Sequence, residues 1–253
     1  MILEGKRAVI FAASGAIASG VARAYARHGA TVYVSAKRPV DDLVDELREL
    51  GASAFGAVVD ATDETAVRNY LTAIAKEGRI DTVFNGIGGR PQTLGYPARS
   101  LETSLDAFDL PFSQIVRSQF LTSREAIRCM ENGGSVVLLS ATLSAMAASQ
   151  MANLSSACGA IEALGRSLAG EFGPNGVRVN CVRGSAMPET RTIQETGAGQ
   201  AALNDTPPTF GVPPLGRPIS VEDTARAAVF LASDLASGVT AQTLTVCAGQ
   251  FPS

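Results

Sequence analysis

Gly173-Pro174-Asn175-Gly176-Val177-Arg178-Val179-Asn180 is a stop, a turn and a start in eight residues. The apolar helical run Ala152–Phe172 must end here, because proline cannot continue a helix and glycine accepts the left-handed backbone that closes one. Residues 177–182 then read as a short strand rich in valine, the pattern of a strand buried on both faces. A long helix delivered straight into a buried strand is half of a βαβ unit. The same alternation runs outward in both directions. Upstream, residues 7–13, 31–35, 55–59, Thr82–Asn85 and 135–140 read as strands. Helices are expected at 17–28, 41–50, 65–76 and 110–130, several of them closed by a glycine such as Gly29 or Gly51. A polar, proline-bearing connection is expected at 90–102, and the turn Asn132-Gly133-Gly134 before the fifth strand. Downstream, Val221–Ala232 reads as a helix and residues 244–246 as a last strand. Between them, residues 184–215 are rich in Pro, Gly, Thr and Gln with no regular period, the profile of a binding lid. The expectation is an α/β fold: one doubly wound parallel sheet of Rossmann type, about seven strands, over a single domain 1–253.

Composition narrows the function classes. Hydrophobic residues make up 46% of the 253 and charged residues 18%, which describes a packed core rather than a disordered chain. The net charge of −3, with no basic cluster, argues against nucleic acid and anionic membranes as partners. Neither a run of about 18 apolar residues nor a signal-like apolar N-terminal stretch is present, so a cytoplasmic setting is expected. Cys129, Cys158, Cys181 and Cys247 are scattered without a CxxC pair, and His28 is the lone histidine, so no metal site is expected. The cysteines read as small buried apolar residues of a reducing compartment. His28 falls at a helix C-terminus, where a cation favours the dipole, and the phenylalanines read as core.

In this order and spacing, several stretches resemble the short-chain dehydrogenase/reductase family along nearly the whole chain. They are residues 3–10 leading into the first strand, Val59-Asp60-Ala61-Thr62-Asp63 after the third, and the opening octapeptide. Leu215-Gly216-Arg217-Pro218, Val221-Glu222-Asp223 and Phe230-Leu231-Ala232-Ser233-Asp234 complete the set. The resemblance implies a nicotinamide cofactor, an inherited NAD(P)-dependent oxidoreductase function, and a homo-oligomer, tetramer or dimer, built on the helices 110–130 and Ala152–Phe172.

The family's cofactor turn is similar to T-G-x-x-x-G-x-G, and the aligned residues here are Phe11-Ala12-Ala13-Ser14-Gly15-Ala16-Ile17-Ala18. Alanine at the third glycine position is mild. At the first two, a methyl group restricts positive φ and crowds the phosphate approach. Ser14, Gly15 and Ile17 remain as candidate contacts, and the segment reads equally as a plain strand-to-helix turn with no nucleotide. After the second strand, Lys37 and Arg38 replace the acid that would hold a ribose 2′-hydroxyl, which the resemblance reads as NADP-leaning. A solvated basic pair is the other reading. Asp60 and Ala61 match the adenine-facing positions, and Asn85 keeps the first asparagine of the family's N-N-A-G. Asn85 could instead simply support the sheet. Arg183-Gly184-Ser185 replaces the proline-glycine stretch that meets the nicotinamide.

The resemblance also fixes the catalytic register, and the expected residues are missing from it. Residues 159–168 place Leu154 at the tyrosine position and Cys158 at the lysine position. Ala141 falls at the serine position and Ile115 at the asparagine position. The tyrosines are Tyr25, Tyr33, Tyr70 and Tyr96, so none lies on Ala152–Phe172, a fact independent of any alignment. Leucine has no proton to give and alanine cannot polarise a carbonyl. Loss of ordinary carbonyl reduction is therefore expected, and no catalytic residue is assigned. The open alternatives are a repurposed non-redox enzyme, a binding or assembly scaffold, and an oxidoreductase with atypical machinery. Substitutes within range are Ser140, Thr142, Ser144, Asn153, Ser155 and Cys158, the last only if a cation or helix N-terminus stabilises its thiolate. Arg90, Arg117, Arg183 and Arg191 are candidates to bind an anionic ligand in the cleft, and equally ordinary as salt-bridge formers.

Overall fold

The computed structural model describes residues 1–196 and 212–251. Seven parallel strands form one sheet in the order β3-β2-β1-β4-β5-β6-β7, with helices around it. The strands are β1 Arg7–Phe11, β2 Thr31–Ala36, β3 Ala54–Val58, β4 Thr82–Asn85, β5 Gly134–Ala141, β6 Val177–Gly184 and β7 Thr243–Val246. On one face, α1 (Ala16–Arg27), α2 (Asp41–Glu49) and the C-terminal helix Val221–Ala232 pack against Ala8, Ile10, Val32 and Val34. On the other, α3 (Glu64–Glu77), α6 (Arg117–Arg128) and α7 (Ala152–Phe172) cover Val9, Phe11, Val83 and Val136. Successive strand residues point to opposite faces, so both halves of each central strand must be apolar, as they are.

The octapeptide behaves as read. Gly173–Asn175 form a single 3₁₀ turn, and Gly176 follows with φ of +77°. Gly133, at φ +79°, sits so close to it that a side-chain carbon there would meet the Gly176 carbonyl oxygen at 2.6 Å. Two backbones touching at adjacent strand starts leave room for glycine alone.

Three stretches depart from expectation by more than a residue or two. The connection at 90–102 contains a short helix, α4 (Pro91–Leu94), started by proline at its first position. The expected helix 110–130 begins earlier, as α5 (Leu105–Pro111), and passes through a π-turn at Phe112–Val116 before α6. Pro111 has no N–H to donate, and the register widens just after it. Ser118 and Thr122 hydroxyls donate to the carbonyls of Gln114 and Ser118 within this region. The stretch 184–215 holds a helix, α8 (Arg191–Thr196), and residues 197–211 of the expected lid lie outside the described residues. The C-terminal helix, α9 (Val221–Ala232), opens on a reciprocal capping box between Ser220 and Asp223. Phe11 and Phe84 are core residues as expected, whereas Phe55, Phe120 and Phe230 are partly exposed. The four cysteines are free, three of them buried. Among the described residues no helix is long and apolar enough to cross a membrane, and no His/Cys/Asp/Glu group could hold a metal ion.

Candidate functional site

The strand order reverses between β1 and β4, and that is where a doubly wound sheet opens a crevice at its carboxyl edge. The turn leaving β1 enters it. Ala12 holds φ at +60°, so the left-handed backbone survives with a methyl group in place of glycine. Ala13 N–H donates to Ser35 O at 2.9 Å and Gly15 N–H to Ala12 O at 3.0 Å, which fixes the turn. Gly15 is the N-cap of α1 and, having no side chain, supplies no capping hydrogen bond, while Ser14, Gly15 and Ala16 are exposed. The first-turn N–H groups therefore keep the anion-accepting character of a helix start. Ala18 is buried behind them, and a side-chain carbon on Gly86 would meet the Ala18 methyl at 2.6 Å. The close approach of helix to strand persists, with the small residue supplied by β4's exit. Ile17 packs against the cluster of Met187, Ile219 and Ala248.

A left-handed alanine costs about 1–2 kcal/mol that glycine does not, offset in part by glycine's greater freedom in the unfolded chain. Ala12→Gly is thus expected to raise stability by about 1 kcal/mol, or roughly 2–4 °C in Tm. A lower Tm on thermal denaturation refutes strain at this turn.

At the ends of β2 and β3, Lys37 Nζ lies 3.1 Å from Asp60 Oδ1, both side chains being well exposed. Asp60 Oδ1 also accepts from the Thr62 N–H at 2.9 Å and hydroxyl at 2.6 Å. Burial opposes ionisation of Asp60, but these hydrogen bonds and the Lys37 ammonium outweigh it and hold its pKa below the ordinary value. Arg38 is exposed beside the pair and Ala61 is buried. Asn85 turns inward. Its amide donates to Ser123 Oγ at 2.9 Å and its oxygen accepts from Thr122 Oγ1 at 2.7 Å, fully buried against α6. Of its two readings, support of the sheet matches this geometry.

Ala141 closes β5, and Leu154 and Cys158 stand one turn apart at the start of α7. Ile115 is buried in the π-turn. Burial pushes the Cys158 thiol up to about 11 despite hydrogen bonds from Ala141 and Ser140, the opposite direction to the shift that activates a thiolate. Four residues on, Glu162 is buried and fully bonded. It accepts from Arg183 Nη2 at 2.6 Å and Nε at 2.9 Å, from Ser144 Oγ at 2.5 Å and from Ser140 Oγ at 2.9 Å. Burial alone would raise the Glu162 pKa; the bonds from Arg183, Ser144 and Ser140 lower it below the ordinary value. Of its two readings, anion binder or salt-bridge former, Arg183 takes the second. Arg90 is likewise paired, with Glu195 of α8, whereas Arg117 and Arg191 are exposed. Thr142 is buried in the 3₁₀ turn after β5, and Ser155 Oγ is buried without a hydrogen-bond partner among the described residues. Asn153 clamps the incoming loop instead of facing a reactant: its amide donates to Leu94 O at 2.9 Å and Ala107 O at 3.2 Å.

Sequence reasoning missed Glu162. The available signal was an acid one turn beyond Cys158 on an otherwise apolar helix face, which demands a buried cation as partner. Arg183 at a strand end was that cation.

Comparison with known proteins agrees with this architecture. The enoyl-(acyl carrier protein) reductase family model matches residues 11–250. The chain is 32% identical to 7α-hydroxysteroid dehydrogenase of Escherichia coli over 98% of this chain and 94% of that protein. A short-chain type dehydrogenase/reductase from Mycobacterium ulcerans superposes with a TM-score of 0.90 at 25% identity, covering 99% of this chain and 91% of that one. A 7α-hydroxysteroid dehydrogenase complexed with NADH and 7-oxo glycochenodeoxycholic acid gives 0.86 at 28%, covering 98% and 94%. The chain belongs to the short-chain dehydrogenase/reductase family, a family of oxidoreductases.

Proposed function

We propose that this chain is a nucleotide-binding member of its family that no longer performs ordinary carbonyl reduction, and whose cleft binds a small molecule. The crevice residues fit the adenosine and pyrophosphate end of NADP. The turn keeps its left-handed step at Ala12, the α1 start is uncapped at Gly15, and the Ala16 methyl is exposed instead of filling the cradle from within. Ser14, Gly15 and Ile17 would hold the phosphates, Lys37 and Arg38 a 2′-phosphate, and Asp60 with Ala61 the adenine. When bound, such a cofactor supplies a hydride. Around the reacting centre, however, none of the described groups is suited to move the accompanying proton.

The observation that carries the reading is the set Ala141, Leu154 and Cys158 above a closed Glu162–Arg183 pair. No aliphatic side chain donates a proton, Cys158 holds its own tightly, and Glu162 is committed to four donors. Tyr96 does not replace the missing phenol. Burial, the Cys158 thiol and the Glu195 carboxylate push it up to about 12, opposite to the acidification a proton donor needs.

The test is binding and turnover measured on one preparation. NADPH is expected to bind, and Lys37→Ala with Arg38→Ala to weaken NADPH about tenfold more than NADH, since charge-assisted hydrogen bonds are worth roughly 1.5–3 kcal/mol. A panel of aldehydes and ketones is expected to leave NADPH unoxidised. Carbonyl-dependent oxidation by the unmodified chain sinks the loss of catalysis; absence of NADPH binding sinks the nucleotide half.

A further inference from the structure

β3 is an edge of the sheet: β2 pairs with one side of it and, among the described residues, no strand pairs with the other. Val32 N–H donates to Ser53 O and Val59 N–H to Ala36 O, so the peptide groups of the odd-numbered residues here face β2. A strand alternates, and those of Ala54, Gly56 and Val58 therefore point outward. Arg48 Nε donates to Ala54 O at 3.2 Å and covers that end of the edge. Gly56 and Val58 are left open: Gly56 is exposed and Val58 is 61% exposed. Edges are ordinarily blunted by charge or proline, because a bare one templates another strand. Ala54-Phe55-Gly56-Ala57-Val58 carries neither.

The open groups select what can pair with them. An antiparallel two-fold centred on Ala57 sets Gly56 against Val58 of a second copy and Val58 against its Gly56, so every open group meets an open group. A centre on Gly56 would set Val58 against Ala54, whose oxygen Arg48 already holds. Side chains agree with the first register. Val58 comes beside the other copy's Gly56, a position that cannot carry a side chain, since one there would meet Val44 at 2.8 Å and Val40 at 3.2 Å. The exposed valine thus gains apolar neighbours where the strand itself offers none. At the axis Ala57 faces Ala57 as a non-hydrogen-bonded pair, the closer kind, and both are small. The flanks are complementary in charge. The Ala54 end of each copy brings Arg48 toward Asp60 of the other, and both side chains are about half exposed.

We propose that the β3 edge is an isologous interface, at which two copies of this chain pair antiparallel about Ala57 and join their sheets into one. It is separate from the helices α6 and α7 on which the family resemblance places an oligomer. A few strand residues a side fall short of the roughly 20–30 of a standard interface, so the pairing is weak and depends on concentration.

The experiment follows the full chain by sedimentation equilibrium and by cysteine cross-linking. The average mass is expected to rise with concentration. Val58→Lys puts an ammonium group against Val40 and Val44 of the other copy and is expected to weaken the association at least about tenfold. Val58 is exposed, so the Tm of this variant in dilute solution should stay unchanged. Ala57→Cys, mildly oxidised, is expected to form a disulfide between copies, because a non-hydrogen-bonded pair stands about 4.5 Å apart at Cα, within the span of a disulfide. Phe55→Cys is more exposed but stands four strand positions from its counterpart, and is expected not to link. Peptide mapping separates these links from any made by the native cysteines. The proposal is overturned if the mass stays constant with concentration, or if Val58→Lys folds and associates as before. It is overturned equally if Phe55→Cys links as readily as Ala57→Cys. Should Val58→Lys fail to fold, the two cysteine variants decide the matter by themselves.

Discussion

Replacing Glu162 by alanine is expected to cost about 3–5 kcal/mol of folding stability, because it strands a buried guanidinium. Arg183 has only 14% of its side chain exposed and Glu162 7%, so neither charge can turn to water when the other is removed. The same substitution leaves the Ser140 and Ser144 hydroxyls without their carboxylate acceptor. The pair joins α7 to the end of β6, and the serines add the end of β5, so one carboxylate ties three elements at the carboxyl edge of the sheet. Urea denaturation measures the loss. A companion double variant, Glu162→Leu with Arg183→Met, is expected to recover most of it, since an apolar pair of similar bulk avoids burying either charge. A single-variant cost within 1 kcal/mol of zero would show the network to be ornamental.

The same network has a pH signature, and its sign follows from the direction of the shift. The folded pKa of Glu162 lies below its unfolded value of about 4.3. Its contribution to stability is therefore full above the unfolded pKa and disappears as pH falls through the folded one. The stability gap between the unmodified chain and Glu162→Gln should stay flat from neutral pH down to about 5 and then close on further acidification. A gap that widens in acid contradicts the assignment.

Why the fold was readable and the site only half so is a matter of range. Thr82–Asn85, Ala152–Phe172 and Val221–Ala232 coincide with their sequence-based bounds because each is marked locally, by β-branched runs, by glycine and proline stops, or by a Ser-x-x-Asp cap. The start of α5 at Leu105 was hidden because Pro111 reads as a barrier to any helix that crosses it, whereas the chain absorbs it in a π-turn. The missing tyrosine on α7 needed no structure. The partners of Glu162 did, since a helix residue and a strand residue meet only after the parallel crossover has been made, and Arg183 supported two readings until then. Asn85 shows the same limit from the other side: one residue supported two readings until Thr122 and Ser123 were seen to claim both ends of its amide.

Under the proposed loss of carbonyl reduction, installing the family's three reacting groups should bring that activity in. Ala141→Ser, Leu154→Tyr and Cys158→Lys combined are expected to give carbonyl-dependent NADPH oxidation at least about 100-fold above the unmodified chain, the scale of a positioned general acid. The scaffold for this is in place. Leu154 and Cys158 are four residues apart on α7, so their side chains share a face, and Ala141 is close enough for its backbone to bond the Cys158 thiol. Cys158 is only 4% exposed, and a lysine there would lose charge through desolvation were it alone. It would not be alone: Glu162 lies one turn further on and Ser140 beside it, and their oxygens favour the ammonium form. That ammonium in turn lowers the pKa of the introduced phenol, which is the acidification Tyr96 lacks. Leu154→Tyr by itself is accordingly expected to gain little. If the triple variant folds, binds NADPH and stays inert toward the whole carbonyl panel, something besides these three positions blocks the reaction, and the first place to look is the Glu162–Arg183 pair competing for the new lysine.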